Sequence, residues 1–527
     1  MQIKGWMIDA ARLPEPLPYY RKVIDFCAQW GFNTILFRLA DDQGSALRFT
    51  SHLELATHPT AFTPAELVGL VRYATEKGID VVPEIESFGH TGFITRSSDH
   101  AALQDNDPAS NSPYTGVIPN HPDTLALIAD LYAEVAEIFP SRYLHAGCDE
   151  VNWGGSAYSQ AAIAVQGRSG VWKAYLNRLN DLAHRSGKEL MIWADHVLGV
   201  DQDRQAILEG LSRDIILVDW NYWDNDLSSS RPEGEAAHLS VIETNVKLAL
   251  AEGFRVIGAP AWGWCRWGVR AGESQLRNID AYADTYRAIT NPRCLGVIVT
   301  HWVPSRFIPG GSWDGTAYAA ATLNLGSAEA REFAFDSLVR QHFGAEWNAG
   351  WAGIFQTLYR IIPPRQSCSP AGTTPCQPVV WSNKAELSAL LSGGDANTFA
   401  DLSFTRLRTQ LVDCQARVLR NQADFSALTL SVEYLEHIHW RCQTVMSAYN
   451  NLEIRAESLK DIAKHDAQMV VALTKAWDAQ RFVDDPAKSS LLVDLDMEDQ
   501  PLLAMRRAAS FSAWLAEEPQ RLVDITS

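Results

Sequence analysis

The chain has 527 residues, 46% of them hydrophobic, enough to bury a large core and to build more than one domain. Its 45 basic residues are outnumbered by 63 acidic ones, giving a formal charge of -18 with no basic run, which argues against a nucleic-acid partner and for a neutral or weakly charged one. No stretch approaches the roughly 18 to 20 uninterrupted apolar residues of a membrane span, and the first residues enter a strand without a charged leader, so the expectation is a cytoplasmic protein with no membrane partner.

In chain order, short apolar runs rich in β-branched residues recur at Gly5 to Ile8, Thr34 to Leu39, Ile79 to Ile85, Tyr143 to Gly147, Leu190 to Trp193, Ile215 to Trp220, Val256 to Pro260 and Leu295 to Trp302. Each ends in a polar or aromatic tip and is followed by a helical stretch. Strands alternating with helices imply a parallel sheet, and eight such units imply a (β/α)8 barrel rather than an open doubly wound sheet. No glycine-rich dinucleotide fingerprint follows the first run, which also disfavours the open sheet. Beyond residue 325 the pattern becomes helical: Phe404, Leu407, Leu411, Cys414 and Val418 step by three and four, as do similar residues from Leu428 to Ile438. The expected organisation is a catalytic barrel over residues 1–325 and an α-helical C-terminal domain over residues 326–527. For that domain three roles stay open: a cap on the barrel, a contact in a homo-oligomer, or an edge to a neighbouring subunit's pocket.

Barrel enzymes draw their catalytic groups from the C-terminal ends of the strands. The tips here offer Asp9 and Arg12, then Asp41 and Asp42, then Glu84, Glu86 and His90, then Asp149 and Glu150. Trp193 and Asp195, Trp220 and Tyr222, Trp262 and Trp264, and His301 and Trp302 end the later strands. The segment His145-Ala146-Gly147-Cys148-Asp149-Glu150-Val151 is the most informative of these, because it sets two adjacent carboxylates at a strand-to-loop junction before Asn152-Trp153-Gly154-Gly155. Carboxylates ringed by indoles suit a carbohydrate pocket, where a tryptophan face stacks on the C–H face of a pyranose and charged groups bind hydroxyls. Metal-dependent hydrolysis is the competing class, since His90, His145, His196 and His301 lie near strand ends. The first strand, however, lacks the paired histidines such barrels usually carry, so neither metal nor cofactor is expected. Eight cysteines without a CxxC pair give no zinc ribbon; Cys368 and Cys376, bracketing a Pro-, Ser- and Thr-rich loop, are spaced to close a small disulfide in an oxidising compartment.

These residues resemble glycoside hydrolase family 20, the β-N-acetylhexosaminidases. That family's His-x-Gly-Gly-Asp-Glu is matched by His145 to Glu150 with Cys148 for the second glycine, and its Gly-x-x-x-Asp-x-x-Arg by Gly5 to Arg12. Its Asp-Asp-Gln-Gly is present at Asp41 to Gly44, and its Pro-Glu-x-Asp-x-x-Gly-His at Pro83 to His90 with Glu86 for the aspartate. The resemblance implies Glu150 as general acid with a pKa raised by burial, Asp149 as the residue orienting the substrate's 2-acetamido group, and Arg12, Asp41, His90, Trp193, Trp220, Trp262 and Trp302 as substrate-binding residues. It implies removal of terminal β-linked N-acetylhexosamine from a glycan or glycoconjugate through an oxazolinium intermediate. The sequence departs from the family pattern at Trp262, where a tyrosine donating to the acetamido oxygen is usual, at Trp264, where an Asp or Asn is usual, and at Pro304, where a glutamate binding the far-side sugar hydroxyls is usual. A related glycosidase acting on a modified hexosamine or releasing a disaccharide is therefore the alternative, and a carbohydrate-binding protein without turnover is a third reading.

Overall fold

The computed structural model describes residues 1–110, 112, 114–199, 204–222, 234–263, 270–361, 380–392, 404–482 and 500–525. Eight parallel strands close on themselves: Ile3–Asp9, Thr34–Asp41, Asp80–Ile85, Tyr143–His145, Glu189–Trp193, Ile216–Asp219, Arg255–Gly258 and Cys294–His301. The last pairs with the first, Ile3 opposite Gly296, and the first with the second, Gly5 opposite Thr34, which completes the barrel. All eight runs expected from the sequence are the barrel strands. The seventh continues past Pro260 as a short segment, Ala261–Gly263, that pairs separately with the eighth.

Successive side chains of a strand point to opposite faces, so every second residue of a barrel strand faces the axis. The apolar cluster inside the barrel contains Ile3, Met7, Leu36, Val82, Tyr143, Met191, Trp193, Ile216, Val218, Ile257, Ala259, Ile298 and Trp302. Continuing those alternations toward the C-terminal ends assigns Asp9, Arg38, Glu84, Glu86 and Trp220 to the same interior face. The barrel is thus apolar at its base and charged at its mouth, and the charges lie there because strand periodicity puts them there.

The expected helices follow. The stripe Phe404, Leu407, Leu411 and Cys414 lies on helix Phe404–Gln415 and is buried, and the residues around Leu428 to Ile438 lie within helix Gln422–Asn450. Among the described residues no strand occurs after His301, and no helix is long and apolar enough to cross a membrane. The core surrounding the barrel runs on into Phe335, Trp351, Phe425 and Leu473 of the later helices. Polar ties accompany it. Asp424 is bound by Lys22 at 2.6 Å and by His342 at 2.8 Å. Arg481, at the end of helix Leu452–Gln480, donates to buried Glu15 at 2.8 Å and to the carbonyls of Phe307 and Pro304 at 3.0 and 2.6 Å. One guanidinium therefore fastens the loops after the first and eighth strands to the helical region. Cys368 and Cys376 lie outside the described residues.

Replacing Arg481 by Met leaves the Glu15 carboxylate buried without its partner. It should lower the unfolding free energy by about 3–5 kcal/mol in denaturant titration, and adding Glu15→Gln should restore part of the loss; a cost within about 0.5 kcal/mol, the range of an ordinary surface change, would contradict this brace.

Candidate active site

The fourth strand stops at His145, and the backbone then becomes left-handed at Gly147 (φ 67), Cys148 (φ 77) and Glu150 (φ 47). Gly147 is required twice over: its φ favours glycine, and a Cβ there would lie 1.8 Å from Glu86 Oε2. Glu150 has no such freedom, and an L-residue in this region costs roughly 1–2 kcal/mol. The neighbouring strands hold it in place. Glu150 N–H donates to Asp195 Oδ2 at 3.1 Å, Val151 N–H to His196 Nε2 at 3.1 Å, and Cys148 N–H to Glu86 Oε2 at 3.2 Å. From the third-strand side Gly89 presses so close that a Cβ would sit 2.2 Å from the Asp149 carbonyl oxygen. The turn is thus built to aim the two carboxylates, at the expense of local backbone preference.

The carboxylates meet at His90, itself left-handed at φ 49. His90 Nε2 lies 3.4 Å from Glu150 Oε2 and 3.8 Å from Asp149 Oδ2, while Nδ1 lies 3.6 Å from Asp41 Oδ1 and 3.7 Å from Asp42 Oδ2. Burial opposes charge on this imidazole, yet Asp41 and Asp149 outweigh it and raise its pKa well above the usual histidine value. Asp149 is buried, whereas the Glu150 side chain is 42% exposed. The buried acid expected from the sequence is corrected here: the left-handed turn lifts Glu150 toward the opening.

Beneath this layer Arg38, fully buried, contacts Asp9 Oδ1 at 3.4 Å, Glu84 Oε1 at 3.3 Å, Glu86 Oε1 at 2.7 Å and, closer still, Asp41. Arg12 reaches Asp41 Oδ2 at 3.2 Å and Asp9 Oδ2 at 3.6 Å. Two guanidiniums cannot neutralise so many buried carboxylates, and the acids divide. Burial would raise Asp41, but Arg12, Arg38 and His90 hold it well below the ordinary range. Burial pushes Glu84 up to about 7 despite Arg38, and burial with the Asp149 charge raises Glu86 well above its usual value. Asp195, partly buried beneath Glu150, is pushed up to about 6 by desolvation and the Asp149 charge, against His196.

Of the expected aromatic residues, Trp193, Trp302 and Trp220 share the barrel interior. Trp193 donates from Nε1 to Glu84 at 2.9 Å and packs against Trp302 with ring centroids 5.6 Å apart. Trp302 carries Arg12 and Arg38 each 5.2 Å from its ring centroid and donates from Nε1 to the Tyr222 hydroxyl at 2.8 Å. Trp220 lies 5.1 Å from Tyr222, centroid to centroid. The structure does not bring Trp262 to this group: it belongs to the core outside the strands, near His301 and Phe307, where it packs against Gly315 of helix Trp313–Leu325. Ile257 and Ala259 face inward, so strand alternation turns Trp262 outward. Trp264 lies outside the described residues. The sequence reading missed Arg38, whose signal was available: it shares the inward face with Leu36. It also left Tyr222 and Asp195 as unassigned tips, although one partners Trp302 and the other anchors Glu150.

Residues 2–247 match the family model described as glycosyl hydrolase family 20, catalytic domain. A β-hexosaminidase of Vibrio furnissii is 26% identical over 249 residues, 41% of this chain and 39% of that protein. One from Akkermansia muciniphila is 24% identical over 50% of this chain and 56% of its own length, and hexosaminidase D of Bos taurus 23% identical over 56% and 82%. The chain thus spans less than two thirds of the two bacterial relatives. Among solved structures, a Flavobacterium johnsoniae chitobiase aligns with a TM-score of 0.49 and 17% identity over 88% of this chain and 74% of that one.

Glu84 and Asp195 bind their protons more tightly in the fold than in the open chain. Their contribution to stability is complete below the ordinary carboxylate range and is lost as pH rises, through about 6 for Asp195 and about 7 for Glu84. His58 and His145, buried with lowered pKa, run the other way and cost stability as pH falls below the usual histidine range. The difference between wild type and Glu84→Gln isolates one group: unfolding free energies should favour the wild type more at pH 5 than at pH 8, and an equal difference at both would refute a protonated Glu84.

Proposed function

We propose, from the match of residues 2–247 to the glycosyl hydrolase family 20 catalytic-domain model, that the protein is an exo-acting β-N-acetylhexosaminidase. It removes terminal β-linked N-acetylglucosamine or N-acetylgalactosamine from glycans or glycoconjugates by substrate-assisted, retaining hydrolysis. The observation that carries this reading is the convergence of two sequence-adjacent carboxylates on one imidazole, Glu150 Oε2 at 3.4 Å and Asp149 Oδ2 at 3.8 Å from His90 Nε2. Ordinary retaining enzymes place two carboxyl groups about 5 Å apart on either side of the scissile bond, one of them a nucleophile. Two side chains leaving one turn beside one histidine do not flank a sugar in this way, whereas they suit an acid next to a residue that steadies a neighbouring substrate group.

In this mechanism Glu150 protonates the glycosidic oxygen as the bond to the anomeric carbon breaks, and the substrate's acetamido oxygen supplies the electron pair that replaces it. Asp149 orients the acetamido N–H and balances the charge of the oxazolinium ion. Glu150, now a carboxylate, takes a proton from the water that opens the ring. Arg12 binds ring hydroxyls, Asp41 holds His90 beside Glu150, and Trp193, Trp220 and Trp302 wall the sugar. Trp262 supports the barrel from outside. The catalytic unit is residues 1–325 and the helical unit 326–527, a division supported by the lack of strands after His301 among the described residues.

The second reading, a related activity on a modified hexosamine or a disaccharide, draws on Pro304. Its carbonyl accepts from Arg481, so the loop after Trp302 is committed to the helical region.

Glu150→Gln should lower kcat/KM by about 10²–10⁴-fold, with a larger loss for an alkyl aglycone than for 4-nitrophenol because a good leaving group needs less protonation. Asp149→Asn should also be impaired, but equally for both leaving groups. Full activity in either variant on 4-nitrophenyl N-acetyl-β-hexosaminides would sink the proposal, and cleavage confined to substituted sugars would select the second reading.

A further inference from the structure

Outside the pocket, a second group of histidines and carboxylates gathers at the rim. His52 and Glu54 lie on the loop joining the short strands Gly44–Leu47 and Thr57–Phe62, and His100 precedes the turn Ala101–Leu103. Glu54 Oε1 lies 2.9 Å from His52 Nδ1 and 2.7 Å from His100 Nε2, and the three atoms fall within 4.8 Å of one another. The other nitrogen of His52, Nε2, lies 3.2 Å from Asp130 Oδ2 on helix Pro122–Ile138.

A neutral His52 carries one proton between Asp130 at Nε2 and Glu54 at Nδ1, so one ring lone pair faces a carboxylate oxygen. A lone pair facing a carboxylate oxygen is repulsive unless positive charge lies between them, either a second proton or a cation. Carboxylate, imidazole and metal in line is how proteins fix a ligating histidine. The loop is also held in advance of any ligand: Thr50 and Ser51 donate their backbone N–H groups to Glu134 of the same helix at 2.7 and 2.9 Å, and their hydroxyls at 2.9 and 2.7 Å. The His52 and His100 side chains are only 17% and 18% exposed.

We propose that His52 Nδ1, His100 Nε2 and Glu54 Oε1 form a zinc site, with Asp130 orienting His52 and water completing the coordination. Two imidazoles and one carboxylate are a borderline donor set that suits Zn²⁺ over the hard cations Ca²⁺ and Mg²⁺. The other two clusters of similar composition, Asp41 with Asp42 and His90, and His90 with Asp149 and Glu150, share a histidine already engaged in the pocket and lie near Arg12 and Arg38, whose charges repel a cation. The metal's place in the fold is a clasp. The rim loop and the segment running from His90 through Gly92–Thr95 to His100 already touch, Ala56 N–H donating to the Phe93 carbonyl at 2.9 Å. Zinc would lock together two loops on the side of the pocket where His90 stands.

The test is titration of chelator-treated full-length protein with zinc chloride, by calorimetry and by thermal unfolding. The expected result is one zinc per chain with a raised Tm, both lost in His52→Ala/His100→Ala, and affinity weakened roughly 10–100-fold in Asp130→Asn. No binding, or binding that survives the double substitution, overturns the site. If that variant fails to fold, diethyl pyrocarbonate labelling of the wild type read by peptide mass mapping decides: zinc should shield both His52 and His100, and unchanged labelling refutes the proposal.

Discussion

A single guanidinium on the barrel axis constrains the rest of the site. Arg38 is fully buried among Asp9, Asp41, Glu84 and Glu86, carboxylates of three different strands. A cation in that position is tolerable only because anions surround it, and so many anions are tolerable only if some keep their protons. The resulting division, with Asp41 ionised and Glu84 and Glu86 raised, sets the charge that His90 meets from below. His90 then stands between Asp41 and the Asp149–Glu150 pair, so the charge that this pair meets follows from the packing of a residue that never reaches the opening.

The same logic extends outward. Glu86 both contacts Arg38 and accepts the Cys148 N–H, tying the buried charges to the left-handed turn that lifts Glu150. Asp9 contacts Arg38 and accepts the Val303 N–H at 2.9 Å, tying them to the residue after Trp302. Arg481 reaches the carbonyl of the next residue, Pro304, and thereby connects the helical region to the pocket wall. The long helices thus act on the site through the backbone of the eighth-strand loop.

Much of this was legible in the sequence because the barrel strands are apolar, short and evenly punctuated. The Asp149-Glu150 turn could be placed at a strand end from the apolar run before it and the glycines after it. Alternation also carries the facing of residues near the strand tips. Counted from Leu36, it puts Arg38 inside; counted from Ala259, it puts Trp262 outside. Reading a tryptophan at a strand tip as a pocket wall ignored which face the strand had left for it. The lift of Glu150 was not legible, because it depends on the left-handed backbone at Cys148 and Glu150, which neighbouring strands enforce. Nor was the His52, Glu54 and His100 group: its members come from two loops and meet only once the third strand and its helix are in place.

In the proposed mechanism the substrate's own acetamido oxygen, rather than a second carboxylate, attacks the anomeric carbon beside Glu150. The most direct measurement is kcat/KM for a series of 4-nitrophenyl β-glucosaminides whose N-acetyl group carries none, one, two or three fluorines. Each fluorine weakens that oxygen as a nucleophile while leaving the glycosidic bond unchanged. A steep, monotonic fall in rate along the series is expected. Rates insensitive to fluorination would contradict it and require a nucleophile from the protein.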